Sequence, residues 1–276
     1  MLKKILNNRG LTLYVAPFVL GLLTVFSFQP FNISFINFFL LPSLFLLIVH
    51  VQKKTKNTYR KKPFRKNLFL LGFMFGFGYY LSGISWITYS LTFDDSFKFL
   101  IPFALLLIPI FLGIFSGVTA LVVGQFLNYN FSSLLIFSGS FALSDYIRGK
   151  IFTGFPWNIW GYSWSWQVEI LQVLNLIGLY SFNLLTITIF TLPAVFFFKN
   201  KNTNFFYIVI LSLTLFFLIY IYGTFTINKN KEILNQFDKN NKVYVKVISP
   251  NFELKYNASI NEIEEKFYKF PYKDEE

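Results

Sequence analysis

The 276-residue chain is 54% hydrophobic and 22% aromatic, has only 14% charged residues and carries a net charge of +12 at neutral pH. With a mean hydropathy of +0.51, this composition excludes an ordinary soluble domain, in which about a quarter of the residues are charged, and identifies an integral membrane protein. The absence of cysteine excludes disulfides, thiolate metal sites and a cysteine nucleophile within these residues.

A helix needs roughly 20 predominantly apolar residues to cross a bilayer. Seven stretches qualify, near residues 11–28, 31–50, 68–92, 99–127, 131–148, 168–198 and 204–227, so the expected fold class is an α-helical integral membrane bundle of about seven transmembrane helices. The first stretch reads as a retained span, because its Phe-rich run continues through Gln29 and Pro30 without a small-residue cleavage site. The second ends at His50, the only histidine, and a lone imidazole makes no metal site. Residues 51–66 then hold eight of the 25 Lys and Arg and no acid. No nucleic-acid recognition motif surrounds this block, and a cytoplasmic loop held inside by the positive-inside rule accounts for it. In the third stretch, Gly72, Gly76, Gly78 and Gly83 are expected to allow close helix packing. The Gly-x-Gly at 76–78 lacks the lysine that a phosphate loop requires. Lys3, Lys4 and Arg9 precede the first span, Asp94 and Asp95 follow the third, and Lys199 and Lys201 follow the sixth. That alternation places the N-terminus in the cytoplasm and the C-terminal segment on the other side.

The fifth stretch ends in SDYIRGK, which sets Asp145 and Arg148 on one helix face. Charges at membrane depth are costly and usually paired, so these two form either a structural ion pair or a contact to a headgroup or substrate. Then comes TGFPWNIWGYSW, residues 153–164, with three tryptophans and a tyrosine behind a Gly-Phe-Pro turn. Gly154 and Pro156 oppose a long helix, and aromatic rings with a polar edge concentrate where the bilayer meets water. The stretch is therefore expected to be a loop on the outer face. A transmembrane domain over 1–228 is expected to give way to a separate unit over 229–276, where nine Lys balance nine acids. Val243 to Ser249 alternates like a strand, Pro250 and Asn251 mark a turn, and Ile260, Ile263 and Phe267 recur at helical spacing after Ser259 as N-cap. A single strand and helix bury too little to stand alone, so the unit reads as the incomplete start of an α/β domain.

The segment SDYIRGKIFTGFPWNIWGYSWS resembles the signature of bacterial apolipoprotein N-acyltransferases: an acidic residue, Arg-Gly, Thr-Gly-Phe-Pro-Trp and a Gly-Tyr. FSFQPFNISFINFFLLPSLFLLI is similar to the family's first hairpin of spans, and GFMFGFGYYLSGISWITYSL to its Gly-rich third span. VYVKVISPNFELKYN resembles the strand and the Asn-x-x-x-Lys-aromatic segment that open the family's catalytic domain.

The resemblance implies a bundle of seven spans in the bacterial inner membrane, an outward-facing, periplasmic nitrilase-like domain and a final anchoring span. It implies transfer of an acyl chain from a phospholipid donor to the α-amino group of a diacylated apolipoprotein's N-terminal cysteine, with no cofactor and no nucleic acid. In the family a cysteine attacks, a glutamate is the general base and a lysine stabilises the oxyanion. No catalytic residue is carried over, because these 276 residues contain no cysteine. Glu253, Glu262, Glu264 and Glu265 lie among lysines and read as a solvated helix face. The chain is expected to be the N-terminal membrane part of such an enzyme, truncated early in its nitrilase-like domain and inactive alone. Asp145, Arg148, Phe155, Pro156, Trp157 and Tyr162 match the family motif and are the candidates for a lipid entrance at the outer face. The alternatives are a non-catalytic multi-pass membrane protein, a transporter subunit, or one half of a split acyltransferase.

Overall fold

The computed structural model describes residues 8–56, 61–151, 154–198, 204–236 and 259–268, and among the described residues the chain is almost wholly helical, with no strand. The strand expected over Val243 to Ser249 lies outside the described residues, as do Thr153 and Glu253. In chain order the helices are α1 (Leu11–Ser27), α2 (Asn37–Lys56), α3 (Lys61–Gly83), α4 (Ile101–Gly124), α5 (Phe131–Arg148), the short α6 (Val168–Leu171), α7 (Leu174–Thr191), α8 (Asn204–Gln236) and α9 (Ile260–Tyr268). Tighter 3₁₀ turns follow α3 at Ser85–Thr92 and Asp95–Leu100, precede α6 at Trp160–Trp164 and extend α7 at Leu192–Phe197.

Among the described residues, four helical stretches are long and apolar enough to cross a membrane: Ser34–Lys54, Asp95–Gly124, Leu174–Phe197 and Ile210–Asn235. A fifth is added when Phe64–Gly83 and Ser85–Thr92, bent by 44° at their junction, count as one span. The other two of the seven expected stretches are helical but fall short. Leu11–Ser27 is a shorter apolar helix, and α5 has 18 residues of which the last turn carries Asp145 and Arg148. Length and apolarity thus mark four, or five, of the seven.

Helices in lipid associate through close van der Waals packing, because lipid chains are as apolar as the side chains themselves. The α3–α4 contact shows this directly. A Cβ added at Gly72 would lie 2.5 Å from the Ser116 carbonyl oxygen, and one at Gly76 would lie 2.7 Å from the Ser116 Cβ. The backbones approach that closely because small residues face each other: Gly72 and Gly76 on α3, and Gly113, Ser116 and Ala120 on α4. Gly78 similarly receives α1, with Leu22 N 3.0 Å from its added Cβ. The expectation for span three therefore holds at these positions. Gly83 instead faces the side chain of Asn158 in the aromatic loop.

Around this pair, Leu40, Leu44, Phe45 and Ile48 of α2, Phe137 of α5 and Phe182 and Phe190 of α7 are buried. Helix α7 breaks at Gly178, whose φ of 73° and ψ of 169° are not helical and fall in a region that glycine tolerates without a Cβ penalty. Helix α8 meets the bundle chiefly through α6, and most of its apolar surface faces outward. At α9, the Glu262 N–H donates to Ser259 Oγ at 3.2 Å, the N-cap expected for Ser259.

Candidate functional site

The end of α5, the loop after it and the middle of α7 meet at one buried guanidinium. Arg148 Nη1 donates to the carbonyl of Phe155 at 2.6 Å and to that of Trp157 at 2.7 Å. Its Nη2 donates to Asp145 Oδ1 at 3.1 Å, one helical turn back. Asn183 Nδ2 donates to the other carboxylate oxygen at 2.8 Å, and the Gly161 N–H donates to Asn183 Oδ1 at 3.1 Å. The guanidinium also sits over the Tyr80 ring, 5.2 Å from its centroid.

Each link has a physical reason. A charge taken out of water must be paired and hydrogen-bonded, and the Arg148 and Asp145 side chains retain only 1% and 9% of their exposure. The planar guanidinium fork reaches two carbonyls and a carboxylate at once, which a lysine ammonium on a flexible stem does not match. The loop needs such a partner because its backbone leaves the helix ladder, and the Phe155 and Trp157 carbonyls accept from the guanidinium instead. Its turn closes through the Phe155 N–H on the Arg148 carbonyl at 3.1 Å and the Gly154 N–H on the Ile151 carbonyl at 2.9 Å. Gly154 has a φ of +81°, and an added Cβ would lie 2.7 Å from the Gly149 carbonyl oxygen. Only glycine makes that turn without strain.

Beyond the turn, the Tyr79 hydroxyl donates to the carbonyl of Asn158. Trp160 stacks on the Tyr79 ring with centroids 4.9 Å apart, and Trp164 stacks on Phe190 at 5.2 Å. Trp166 Nε1 donates to Ser34 Oγ at 2.6 Å, and that hydroxyl donates in turn to the Ser163 carbonyl. The aromatic stretch is therefore mostly a packed plug between α2, α3 and α7, with Trp160 and Trp164 buried. Only its first corner faces outward. Pro156 is exposed, and Trp157, 49% exposed, meets the equally open Trp86 edge to face at 5.5 Å.

Among the six sequence candidates, Asp145 and Arg148 form the buried ion pair, Phe155 and Trp157 are joined to it through their carbonyls, and Pro156 lies between those two. Tyr162 is half-buried in the Trp160–Trp164 turn. Burial pushes its phenol above the usual value, with Tyr180 adding and Arg148 opposing, so at neutral pH it is a neutral donor. Asn183, Tyr79, Tyr80 and Trp86 complete the arrangement and were not among the candidates. The amide of Asn183 inside an apolar span was the signal available for it, since polar groups at membrane depth seek partners. Among the described residues, no group of three His, Asp or Glu side chains comes together to hold a metal ion. Chemically, the site is a rigid frame that fixes a loop, with its charge consumed internally and an aromatic corner left open.

The sequence model of the apolipoprotein N-acyltransferase N-terminal domain matches residues 20–192, a span that contains every member of this network. The chain belongs to the apolipoprotein N-acyltransferase family. It is 33% identical over 184 residues to the apolipoprotein N-acyltransferase of Brucella melitensis, covering 66% of this chain and 34% of that protein. With the apolipoprotein N-acyltransferase of Rickettsia bellii it shares 35% identity over 184 residues, again 66% of this chain and 34% of the relative. The same-named protein of Sinorhizobium medicae is 28% identical over 193 residues, or 70% and 36%. The alignments thus span about a third of the length of these apolipoprotein N-acyltransferases.

Proposed function

We propose that this chain is the membrane-embedded part of an apolipoprotein N-acyltransferase, a bundle of seven spans over residues 1–228. In this reading the N-terminus lies in the cytoplasm, the protein resides in the bacterial inner membrane, and residues 229–276 begin a periplasmic nitrilase-like domain. The reaction moves an acyl chain from a phospholipid to the amino group of a diacylated lipoprotein cysteine. The family match over residues 20–192 carries the proposal.

Within that reaction the described residues position and admit substrate. Both substrates are lipids, so the reacting carbon must be reached from within the bilayer. A thioester route needs a thiolate, and with no cysteine in these 276 residues the nucleophile comes from elsewhere, which makes the chain inactive by itself. Asp145 and Arg148 hold the loop. Phe155, Pro156 and Trp157 form its edge, where the exposed Trp157 indole and Pro156 ring meet an approaching acyl chain. Tyr162 backs this edge as a neutral phenol.

The test is an acylation assay on the purified 276-residue chain in phospholipid vesicles with a diacylated lipopeptide, read by mass spectrometry. No triacylated product is expected from this chain alone. Membranes of cells that express the gene at its own locus are expected to form the product, membranes of a strain that lacks the gene are not, and failure of either would remove the proposal.

A further inference from the structure

One end of the bundle carries charge of a single sign. Residues 1–93 hold eleven of the 25 Lys and Arg, three before α1 and eight in residues 51–66, and no acid. Residues 96–144 contain no acid either. The fold gathers these cations. Arg9 Nη2, ahead of α1, donates to Asn67 Oδ1 of α3 at 3.0 Å, next to Arg65 and Lys66. Gln52 Nε2, near the end of α2, donates to the carbonyl of Gln125, just past α4, at 3.3 Å. Lys53 Nζ stands over the ring of Tyr129, just before α5, 4.1 Å from its centroid. Only four residues separate the end of α2 from the start of α3. The starts of α1, α3 and α5 and the ends of α2 and α4 therefore meet at one end of the bundle, where Arg9, Lys53, Arg65 and Lys66 are all exposed.

Helix electrostatics do not account for this surface. Lys61, Lys62, Arg65 and Lys66 crowd the first two turns of α3, with no acid in the first turn, at the end where the helix dipole disfavours cations. Retention of lysines on one side orients the spans, but it does not require Arg9 and Lys53 to be held against neighbouring elements. Fixed like charges repel one another, and no carboxylate of residues 1–93 or 96–144 relieves them. The bilayer supplies the missing sign. These cations stand at the ends of apolar helices, and half-buried Tyr129 beside Lys53 marks the interface. A cluster of about four to eight cations directly beside a span attracts anionic headgroups, with roughly fivefold in association for each cation near the surface. We infer that this end of the bundle is a docking surface for anionic phospholipid headgroups, met by Arg9, Lys53, Arg65 and Lys66. It lies at the opposite end of α5 from the Arg148 network and stands whether or not acyl transfer occurs.

The experiment places the 276-residue chain in phosphatidylcholine bilayers with a trace of phosphatidylglycerol or phosphatidylcholine that carries a nitroxide on one acyl chain. Electron paramagnetic resonance reads the fraction of each label immobilised at the protein, and their ratio gives the headgroup selectivity. Phosphatidylglycerol is expected to be favoured about fivefold at low salt. The preference is expected to vanish near about 1 M salt, where the screening length is ~3 Å. Arg65→Gln combined with Lys66→Gln lowers the selectivity by roughly half or more. Lys98→Gln combined with Lys150→Gln removes the same charge from exposed positions at the other end, before α4 and after α5, and leaves the selectivity unchanged. Equal immobilisation of the two lipids by the wild type, equal losses in the two double variants, or a preference that survives high salt would each overturn the inference. Displacement of the labelled phosphatidylglycerol by an RNA oligonucleotide at equal phosphate would overturn it too, and assign the surface to nucleic acid.

Discussion

Arg148 binds the carbonyl of Trp157 at 2.7 Å across nine residues of chain, so a buried cation on α5 sets where an exposed indole stands. Removing that cation is expected to release the loop and strand its counter-ion. Arg148→Met leaves Asp145 buried without a charge partner, a change that costs about 3–5 kcal/mol. Thermal unfolding in detergent micelles reads it as a lowered midpoint. Arg148→Lys keeps the charge but not the fork and recovers only part of the loss. A methionine variant that melts like the wild type would remove the network from the account.

Asn183 links the pair to the 3₁₀ turn that holds Trp160, by one bond to Asp145 and one from Gly161. Asn183→Ala leaves a carboxylate oxygen and a backbone N–H unpaired in the core, at a cost of about 1–3 kcal/mol. Asp145→Asn and Asn183→Ala share a bond, so their effects combine non-additively by roughly 0.5–3 kcal/mol. A double-mutant cycle on unfolding midpoints measures this term, and strict additivity would show the two residues to be uncoupled.

Much of the scaffold was legible because the bilayer imposes length. Runs of apolar residues announced the helices, glycines in the third run announced close packing, and Ser259 announced a cap. The spacing of Asp145 and Arg148 also offered an ion pair, beside a headgroup or substrate contact. What escaped was what one sequence does not encode locally. Arg148 is satisfied by main-chain carbonyls, which carry no side-chain signature, and Asn183 lies 38 positions from the carboxylate it binds. The break at Gly178 stayed hidden in an apolar run that read as continuous. Apolarity alone also did not show that α1 is short or that α5 gives its last turn to charges.

The α3–α4 interface makes a paired prediction. Gly76→Leu places side-chain atoms where the Ser116 Cβ and the Gly113 backbone already stand, and overpacking of this kind costs about 1–3 kcal/mol. Gly139 on α5 has nothing within 4 Å of an added Cβ, so Gly139→Ala is neutral or stabilising by up to ~1 kcal/mol from helix propensity. Unfolding midpoints in detergent distinguish the two variants. Equal effects would contradict the close approach.

Trp157 separates stability from function. Trp157→Ala loses an edge-to-face contact with Trp86, worth about 0.5–1.5 kcal/mol, and little else, because the Arg148 bond is to its carbonyl. On the proposed function, acyl transfer in membranes that supply the nucleophile is expected to fall on the order of tenfold, equivalent to ~1.4 kcal/mol in the barrier. An unchanged rate in vesicle assays would exclude the indole from the substrate's path.

The most direct measurement, on the proposed function, is mass-spectrometric detection of triacylated lipopeptide from two membrane preparations, one with the purified 276-residue chain alone and one from cells that express the gene at its own locus. The account predicts product only from the second, and product that drops sharply with Arg148→Met. Product from the 276 residues alone, which hold no cysteine, or none from the cell membranes, would contradict it.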